Sequence, residues 1–235
     1  MYNLAQKLFA EFTGTFAFVF IAAGSLCADA YLVSTGQGGL GWLGVGAAAG
    51  LGFAVMVVAL AHISGAHFNP AISIGFWVTR RMGTLNTIAY VVAQLAGGAA
   101  AAYATKLVIP DSTWTAKALG SMTPDLGGDF TRAHAIALEA VLTFFLVFLV
   151  FAVAVDKHGA FRGVGGFAIG LTITMGTLFG GPFTGAAMNP ARAFGPALAM
   201  RHWQNHGVYR AGPLIGGVVA AFLYDRVFLR DQPPA

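Results

Sequence analysis

Long apolar stretches divide the chain into six candidate membrane spans and two shorter apolar segments. Each span is long enough to cross the roughly 30 Å hydrocarbon core of a bilayer as a helix, whereas each shorter segment reaches about halfway. The pattern therefore predicts an all-α membrane protein with six transmembrane helices and two re-entrant half-helices. The predicted spans are 8–28, 44–62, 85–109, 133–155, 163–181 and 208–228, and the predicted half-helices are 70–79 and 190–200.

Each predicted half-helix begins at a copy of the same motif. Residues 64–71 read Ser-Gly-Ala-His-Phe-Asn-Pro-Ala, and residues 184–191 read Thr-Gly-Ala-Ala-Met-Asn-Pro-Ala. Asn is a favoured helix N-cap and Pro is favoured at the first helical position, so each Asn-Pro-Ala triplet predicts an abrupt helix start. We expect the preceding glycine to let the backbone run extended. The triplets are Asn69-Pro70-Ala71 and Asn189-Pro190-Ala191.

The two halves of the chain share further residues. Glu11 and Thr15 in the first span match Glu139 and Thr143 in the fourth. Each half holds three spans, an odd number, so the second half must enter the membrane from the opposite side. The chain is predicted to be one domain, 1–235, built as an inverted repeat of about 1–110 and about 132–235. The third and sixth spans share Tyr90, Leu95, Gly97 and Gly98 with Tyr209, Leu214, Gly216 and Gly217, and the glycine pairs predict close helix crossings.

The composition limits the class of protein and of function. The chain is 57% hydrophobic and only 9% charged, far from the quarter charged of an average soluble domain, so we expect an integral membrane protein. No basic run predicts a nucleic-acid partner, and the single Cys27 allows no intrachain disulfide. We find no nucleophile–base pair, no phosphate-binding loop, and no third ligand beside His62 and His67. No enzyme activity, cofactor or metal site is therefore predicted.

The positive charges predict an orientation in which both termini are cytoplasmic. The first outer loop, 29–43, then carries no lysine or arginine. The lack of a targeting segment favours the inner (plasma) membrane. Cytoplasmic pieces would carry Lys7, Arg80, Arg81, Lys157, Arg162, Arg226 and Arg230, against Lys106, Lys117, Arg132, Arg201 and Arg210 outside.

Two half-helices that dip from opposite faces would meet near the membrane centre with both N-termini pointing inward. Non-helical backbone at that depth, predicted at 63–68 and 183–188, is tolerated when it lines a wet cavity, so we expect a water-filled path. The side-chain N–H groups of Asn69 and Asn189 would point into it, and the positive helix ends would oppose protons and cations. Backbone carbonyls would line the rest of the path at Ser64, Gly65, Ala66, His67, Thr184, Gly185, Ala186 and Ala187.

The two Asn-Pro-Ala triplets, Arg192 directly after the second, and the inverted repeat resemble the aquaporin (major intrinsic protein) family over essentially the whole chain. The resemblance implies a passive water or small-solute channel, usually a homotetramer with one pore per subunit. It also implies an outer selectivity filter. Counting back from the triplets without gaps places this filter at Ala49, Thr177, Ala186 and Arg192.

The filter departs from the strictly water-selective pattern of the family that the chain resembles. That pattern has Phe at the position of Ala49 and His at the position of Thr177. Ala49 and Thr177 are smaller, which predicts a wider constriction. Glycerol-type members usually carry Asp after the arginine, where this chain has Ala193, and bulky filter aromatics that are absent here. The run 183–197 is similar to plant vacuolar-type channels, although the chain itself looks bacterial or archaeal in type.

Other polar residues of the spans have two interpretations each. His62 either lines the pore or packs as a hydrogen-bonded core histidine, and the ring of His67 is expected to pack locally. Glu11 and Glu139 either form a proton-coupling pair or accept hydrogen bonds from the backbone of the re-entrant loops, which their symmetric placement favours. We assign no role to Arg210.

The sequence thus predicts a passive channel in a lipid bilayer for water and small neutral solutes such as glycerol, urea or ammonia, excluding protons and ions. A strictly water-selective channel is the alternative within that class. A secondary transporter with inverted repeats and a membrane structural or junction protein with a closed pore are the rivals outside it.

Overall fold

The computed structural model describes residues 2–116, 118–159 and 162–229. Within these ranges the chain is helical, and its one isolated β-bridge joins Gly127 and Phe130. The charges of Lys117 and Arg230, which entered the predicted orientation, fall outside the described residues, as does the side chain of Arg162. The sequence also predicts a polar tail at 229–235, of which residues 230–235 lie outside the described part.

The helices of the first half are α1 (Leu4–Ser34), α2 (Gly41–Ser64), α3 (Pro70–Val78) and α4 (Thr84–Val108). A short helix, α5 (Asp111–Ala116), lies in the connection between the halves. The second half holds α6 (Arg132–Val150), which ends in a π-helical turn (Phe151–Val155), then α7 (Gly165–Thr184), α8 (Pro190–Met200) and α9 (Val208–Val227). This order confirms the predicted six long helices and two half-helices.

Five of the long helices, α1, α2, α4, α6 with its π-helical turn, and α7, are long and apolar enough to cross a membrane. The sixth, α9, has 20 residues but carries Arg210, Asp225 and Arg226. It packs against α6 as α4 packs against α1, so it completes the second repeat.

The predicted bounds need three corrections. Helix α1 extends beyond 8–28 because polar residues continue a helix outside the hydrocarbon core, and Asn3 caps it together with Gln6. Helices α2 and α7 run on to Ser64 and Thr184, so the non-helical segments are 65–69 and 185–189, not 63–68 and 183–188. The sequence of the connection 110–131 predicts a polar loop from Asp111, Pro124, Asp125 and Asp129, but the connection contains α5 and buries Leu119 and Met122.

The glycine pairs of α4 and α9 lie where helices approach most closely. A side chain at Gly97 would meet the backbone of α1 at Phe12, and one at Gly216 would meet the backbone of α6 at Ala140. The second glycine of each pair faces the half-helix of the opposite repeat, Gly98 against Ala191 and Gly217 against Ala71. Small residues allow such backbone contact between membrane helices. The glycines therefore mark close crossings, as the repeat predicted.

We predict that Gly216→Ala destabilises the protein, because the added methyl group would collide with the Ala140 carbonyl. Overpacking costs about 1–3 kcal/mol, so the thermal unfolding temperature in detergent should fall by about 5 °C. The matched control is Gly24→Ala in α1, where nothing lies within 4 Å of the added carbon. Both changes raise helix propensity, so equal unfolding temperatures for the two variants would contradict the packing argument.

Candidate functional site

Asn69 and Asn189 begin the two half-helices as N-caps. Both have extended backbones, with φ/ψ of −155/120° and −156/113°. The side-chain oxygen of Asn69 accepts from the Ala71 N–H at 2.9 Å, and that of Asn189 accepts from the Ala191 N–H at 2.9 Å. Pro70 and Pro190 occupy the first helical positions. The oxygen of each amide is thus held by its own helix, which directs the nitrogen away from it.

The amide nitrogens join the two half-helices. Asn69 Nδ2 donates to the Met188 carbonyl at 2.8 Å, and Asn189 Nδ2 donates to the Phe68 carbonyl at 2.8 Å. The expectation that these N–H groups point into the lumen is therefore wrong for one N–H of each amide. Each amide has two N–H groups, so one per asparagine remains for another acceptor.

The segments before the asparagines are not extended, contrary to the sequence expectation. Gly65 and Gly185 end α2 and α7 in the left-handed conformation, with φ of 90° and 82°. Two further residues follow with positive φ in each segment, although they carry side chains, and such residues cost about 1–3 kcal/mol each. They are Ala66, Phe68, Ala186 and Met188, with φ of 52°, 48°, 50° and 50°.

Glu11 holds the first re-entrant segment from α1. It is fully buried and accepts from the Ser64 hydroxyl at 2.7 Å, the His67 N–H at 3.0 Å and the Phe68 N–H at 2.7 Å. Tyr90 of α4 donates to the Ser64 carbonyl at 2.9 Å. Buried backbone groups need such partners, so the carboxylate supports the loop of its own repeat.

Glu139 holds the second segment from α6 in the same way. It is fully buried and accepts from the Thr184 hydroxyl at 2.7 Å, the Ala187 N–H at 2.9 Å and the Met188 N–H at 2.8 Å. Tyr209 of α9 donates to the Thr184 carbonyl at 2.6 Å. The two repeats thus build the same support from matching residues.

One polar cluster lies in the first repeat alone and was missed by the sequence analysis. Gln94 Nε2 donates to Glu11 Oε2 at 2.8 Å and to the Ser73 hydroxyl at 2.9 Å. The His67 ring lies 3.0 Å from the same hydroxyl and packs 4.4 Å from Phe76, so its ring packs locally. The only signal was the position of Gln94, one helical turn after Tyr90, and Pro213 occupies the matching place in α9.

The four predicted filter residues are all buried and come from α2, α7, the second re-entrant segment and α8. Helices α2 and α7 meet at their level, because the Thr174 hydroxyl donates to the Gly46 carbonyl at 3.0 Å. A methyl group at Gly46 would lie 3.2 Å from Thr177 Cβ. Ala49 and Ala186 belong to one buried apolar cluster. Helices α2 and α7 therefore bring small residues together at the level of Gly46 and Thr177.

Arg192 lies in the first turn of α8 and is 4% exposed. Among the described residues, its Nη1 atom has no hydrogen-bond partner. Its counterpart in the first half-helix is Ile72, which is fully buried. A buried guanidinium donor next to the second Asn-Pro-Ala triplet can bind an acceptor that passes it.

Two cavities open on opposite sides of the paired half-helices. One, of about 390 Å³, is lined by Lys7, Ser64, Gly65, His67 and Tyr90 among others. The other, of about 290 Å³, is lined by Asp29, Trp42, the connecting segment 120–123 and Gly185. The first re-entrant segment thus leads from one cavity and the second from the other.

The structure excludes one of the two interpretations of His62. This residue is exposed and touches Tyr2 edge-on at 5.8 Å, so it is not a packed core histidine, and pore lining stays a prediction. Met122 belongs to the connection 110–131, and its side chain lies over the second re-entrant segment. A Cβ atom at Gly185 would be 3.1 Å from Met122 Cγ. No periodic signal could have found this long-range contact.

Comparisons with known proteins agree with this architecture. The sequence profile of the family described as "Major intrinsic protein" matches residues 1–224. Aquaporin TIP4-4 of Zea mays is 42% identical over 228 residues, covering 95% of this chain and 87% of the relative. Aquaporin-4 of Rattus norvegicus is 41% identical over 182 residues, 77% of this chain and about half (55%) of the relative.

The fold is also that of a solved structure. The X-ray structure of the aquaglyceroporin from Plasmodium falciparum superposes with a TM-score of 0.83 at 24% identity, covering 97% of this chain and 98% of that one. The family profile spans nearly the whole chain and includes both half-helices. The chain therefore belongs to the major intrinsic protein (aquaporin) family, whose members are integral membrane channels and not enzymes.

Proposed function

We propose that the protein is a passive channel for water and small neutral solutes, such as glycerol, urea or ammonia, with one pore per chain. The observation that carries this proposal is the head-to-head joining of α3 and α8 by Asn69 and Asn189 between two cavities. Backbone carbonyls and one free N–H per asparagine would replace the hydrogen bonds that a water molecule loses on entering.

The proposed channel excludes protons and cations. Each half-helix ends at the centre with about half a positive charge, and the guanidinium of Arg192 adds a full one. A water molecule at the asparagines would accept from both amides and donate to neither, which interrupts a chain of proton transfer. The positive electrostatic field of the helix ends and the interrupted hydrogen-bond chain therefore both oppose the passage of protons, and the field also opposes other cations.

The solute range depends on the filter. Ala49, Thr177 and Ala186 are smaller than the residues of the strictly water-selective pattern, and this supports passage of solutes larger than water. One observation favours the water-selective alternative, because Met122 lies over Gly185 at the outer end of the second segment. A flexible methionine there would narrow the path from outside.

The contacts of the glutamates favour a channel over a secondary transporter. Glu11 and Glu139 each accept two hydrogen bonds from their own re-entrant segment and one from the hydroxyl that ends the preceding helix, and Glu11 accepts a fourth from Gln94. Carboxylates engaged in this way support the re-entrant segments. Binding and releasing a proton in each transport cycle would break these hydrogen bonds. In a structural protein with a closed pore, the buried and unpaired Nη1 of Arg192 would cost free energy without binding any passing acceptor.

We further propose that four copies assemble in the inner (plasma) membrane with both termini in the cytoplasm. The charge distribution supports the orientation, with Lys7, Arg80 and Arg81 on the inner side. Arg81 pairs with Asp225 at 2.7 Å, which joins the loop after α3 to the end of α9 on that side.

We predict that Ala49→Phe with Thr177→His abolishes solute flux and spares water. In stopped-flow liposomes, shrinking should stay fast while reswelling in glycerol and urea slows by about tenfold or more, because the path narrows. Ala49→Gly with Thr177→Ser is the control and should keep both fluxes. Solute flux that survives the Phe/His pair would contradict the wide filter. If the unmodified protein passes water but not solutes, Met122→Ala should allow reswelling in glycerol and urea, because it removes the side chain over Gly185.

We predict that Arg192→Val raises proton or cation leak. Removing the buried positive charge lowers the barrier to cations, and each 1.4 kcal/mol corresponds to about tenfold in rate. The measurement is dye-detected pH collapse in liposomes under a potassium diffusion potential. Arg192→Lys keeps the charge and is the control. Equal leak in the Val variant and the unmodified protein would remove the assigned role of the arginine.

We predict that Glu139→Gln lowers stability without changing the passive nature of transport. The amide would turn its NH2 group toward one of the two backbone N–H groups, that of Ala187 or that of Met188, and leave it unsatisfied at about 1–3 kcal/mol, which lowers the unfolding temperature by about 5 °C. Asp129→Asn on the exposed connecting segment is the control and should unfold as the unmodified protein does. Unchanged stability with loss of pH-driven solute accumulation would instead indicate a transporter.

A further inference from the structure

An apolar groove of about 260 Å³ lies on the outside of the helix bundle, where the two repeats meet. Helices α3 and α8 form its floor, and α4 and α9 form its walls. Most of its lining comes in pairs that the inverted repeat relates, so the groove follows the pseudo-two-fold axis. The pairs that matter here are Ile74 with Phe194, Leu95 with Leu214, and Val91 with Arg210.

Arg210 breaks the symmetry of this groove. Its counterpart Val91 is apolar, so the repeat itself does not require a cation there. Arg210 is exposed, and in the described parts of the chain no carboxylate lies within 4.0 Å of its guanidinium and no hydrogen bond engages it. Burial and the nearby Arg210 lower the pKa of His206 to about 4, so this neighbour adds no second charge at neutral pH.

The depth of Arg210 makes an unpaired charge unfavourable. Gly217, seven residues along α9, packs against Ala71 at the start of α3 and therefore marks the membrane centre. At 1.5 Å per residue, the Cα atom of Arg210 lies about 10 Å from that centre, inside the roughly 15 Å half-thickness of the hydrocarbon. An arginine at this depth extends its side chain toward the headgroup phosphates.

We propose that this groove binds one anionic phospholipid, with an acyl chain between α4 and α9 and the phosphate on Arg210. A guanidinium binds phosphate through two parallel hydrogen bonds, which a lysine cannot match. The apolar lining accepts the chain as it runs from Arg210 past Leu214 to the membrane centre. An acyl chain fills such a course better than a protein partner, which would need a carboxylate for Arg210.

Native mass spectrometry of the full chain in detergent tests the proposal with dioleoylphosphatidylglycerol as the probe. We compare the unmodified protein, Arg210→Leu, which removes the cation, and Leu214→Trp, which fills the groove between Arg210 and the membrane centre and keeps the arginine. Arg226→Leu at the other end of α9 is the matched control, because Arg226 is also exposed and pairs with no carboxylate in the part of the chain that the structure describes. Dioleoylphosphatidylcholine tests the headgroup charge, and inorganic phosphate tests whether the anion binds alone.

We expect the apparent affinity for phosphatidylglycerol to fall about tenfold in both groove variants, the effect of one charge-assisted hydrogen bond or of lost chain burial. The Arg226→Leu protein should bind as the unmodified one. Equal binding by all variants would overturn the proposal. So would competition by millimolar phosphate, which would indicate an anion site without a chain. A changed oligomeric state with unchanged lipid binding would instead assign the groove to a contact between copies.

Fluorescence locates the bound lipid. The Trp203 ring lies 5.8 Å from Phe194 and 4.9 Å from His206, both of which line the groove. Phosphatidylglycerol with brominated chains should quench a component of the emission that is missing in Trp203→Phe and lost in Arg210→Leu. Quenching that persists in Arg210→Leu would show that the chain occupies the groove without help from the arginine, which contradicts the proposal.

Discussion

The reciprocal hydrogen bonds between Asn69 and Met188, and between Asn189 and Phe68, are the interaction on which the rest of the structure depends. They hold together two helix ends that both carry positive partial charge and would otherwise repel. The accepting carbonyls belong to residues with positive φ, so the joint requires strained backbone on both sides. That strain persists only because the surroundings hold the segments in place.

Glu11 and Glu139 supply most of that support. Each takes hydrogen bonds from two consecutive N–H groups of a re-entrant segment and from the hydroxyl that ends the preceding helix. A buried carboxylate is expensive in a membrane unless its oxygens are satisfied. Here the cost of the charge and the cost of unpaired backbone offset each other, which explains why an ionisable residue stands in a lipid-spanning helix at matching positions of both repeats.

The two repeats differ at a few polar positions. Arg192 corresponds to Ile72 in the other repeat, Arg210 corresponds to Val91, and Gln94 corresponds to Pro213. The symmetric residues hold the two re-entrant segments and join the two half-helices. The asymmetric residues place different polar groups on the two sides of that shared framework, without changing how its helices pack.

The sequence by itself determined the class, the number and order of the helices, the inverted repeat and the two helix starts, because hydrophobic length, Asn-Pro caps and matched spacings are local signals. The placement of the glutamates also followed from that symmetry. Only the tertiary structure decided the use of the asparagine N–H groups, the left-handed backbone at Ala66 and Ala186, and the contact of Met122 with Gly185. These arise between segments far apart in the chain, and no local pattern specifies which distant group will be the partner.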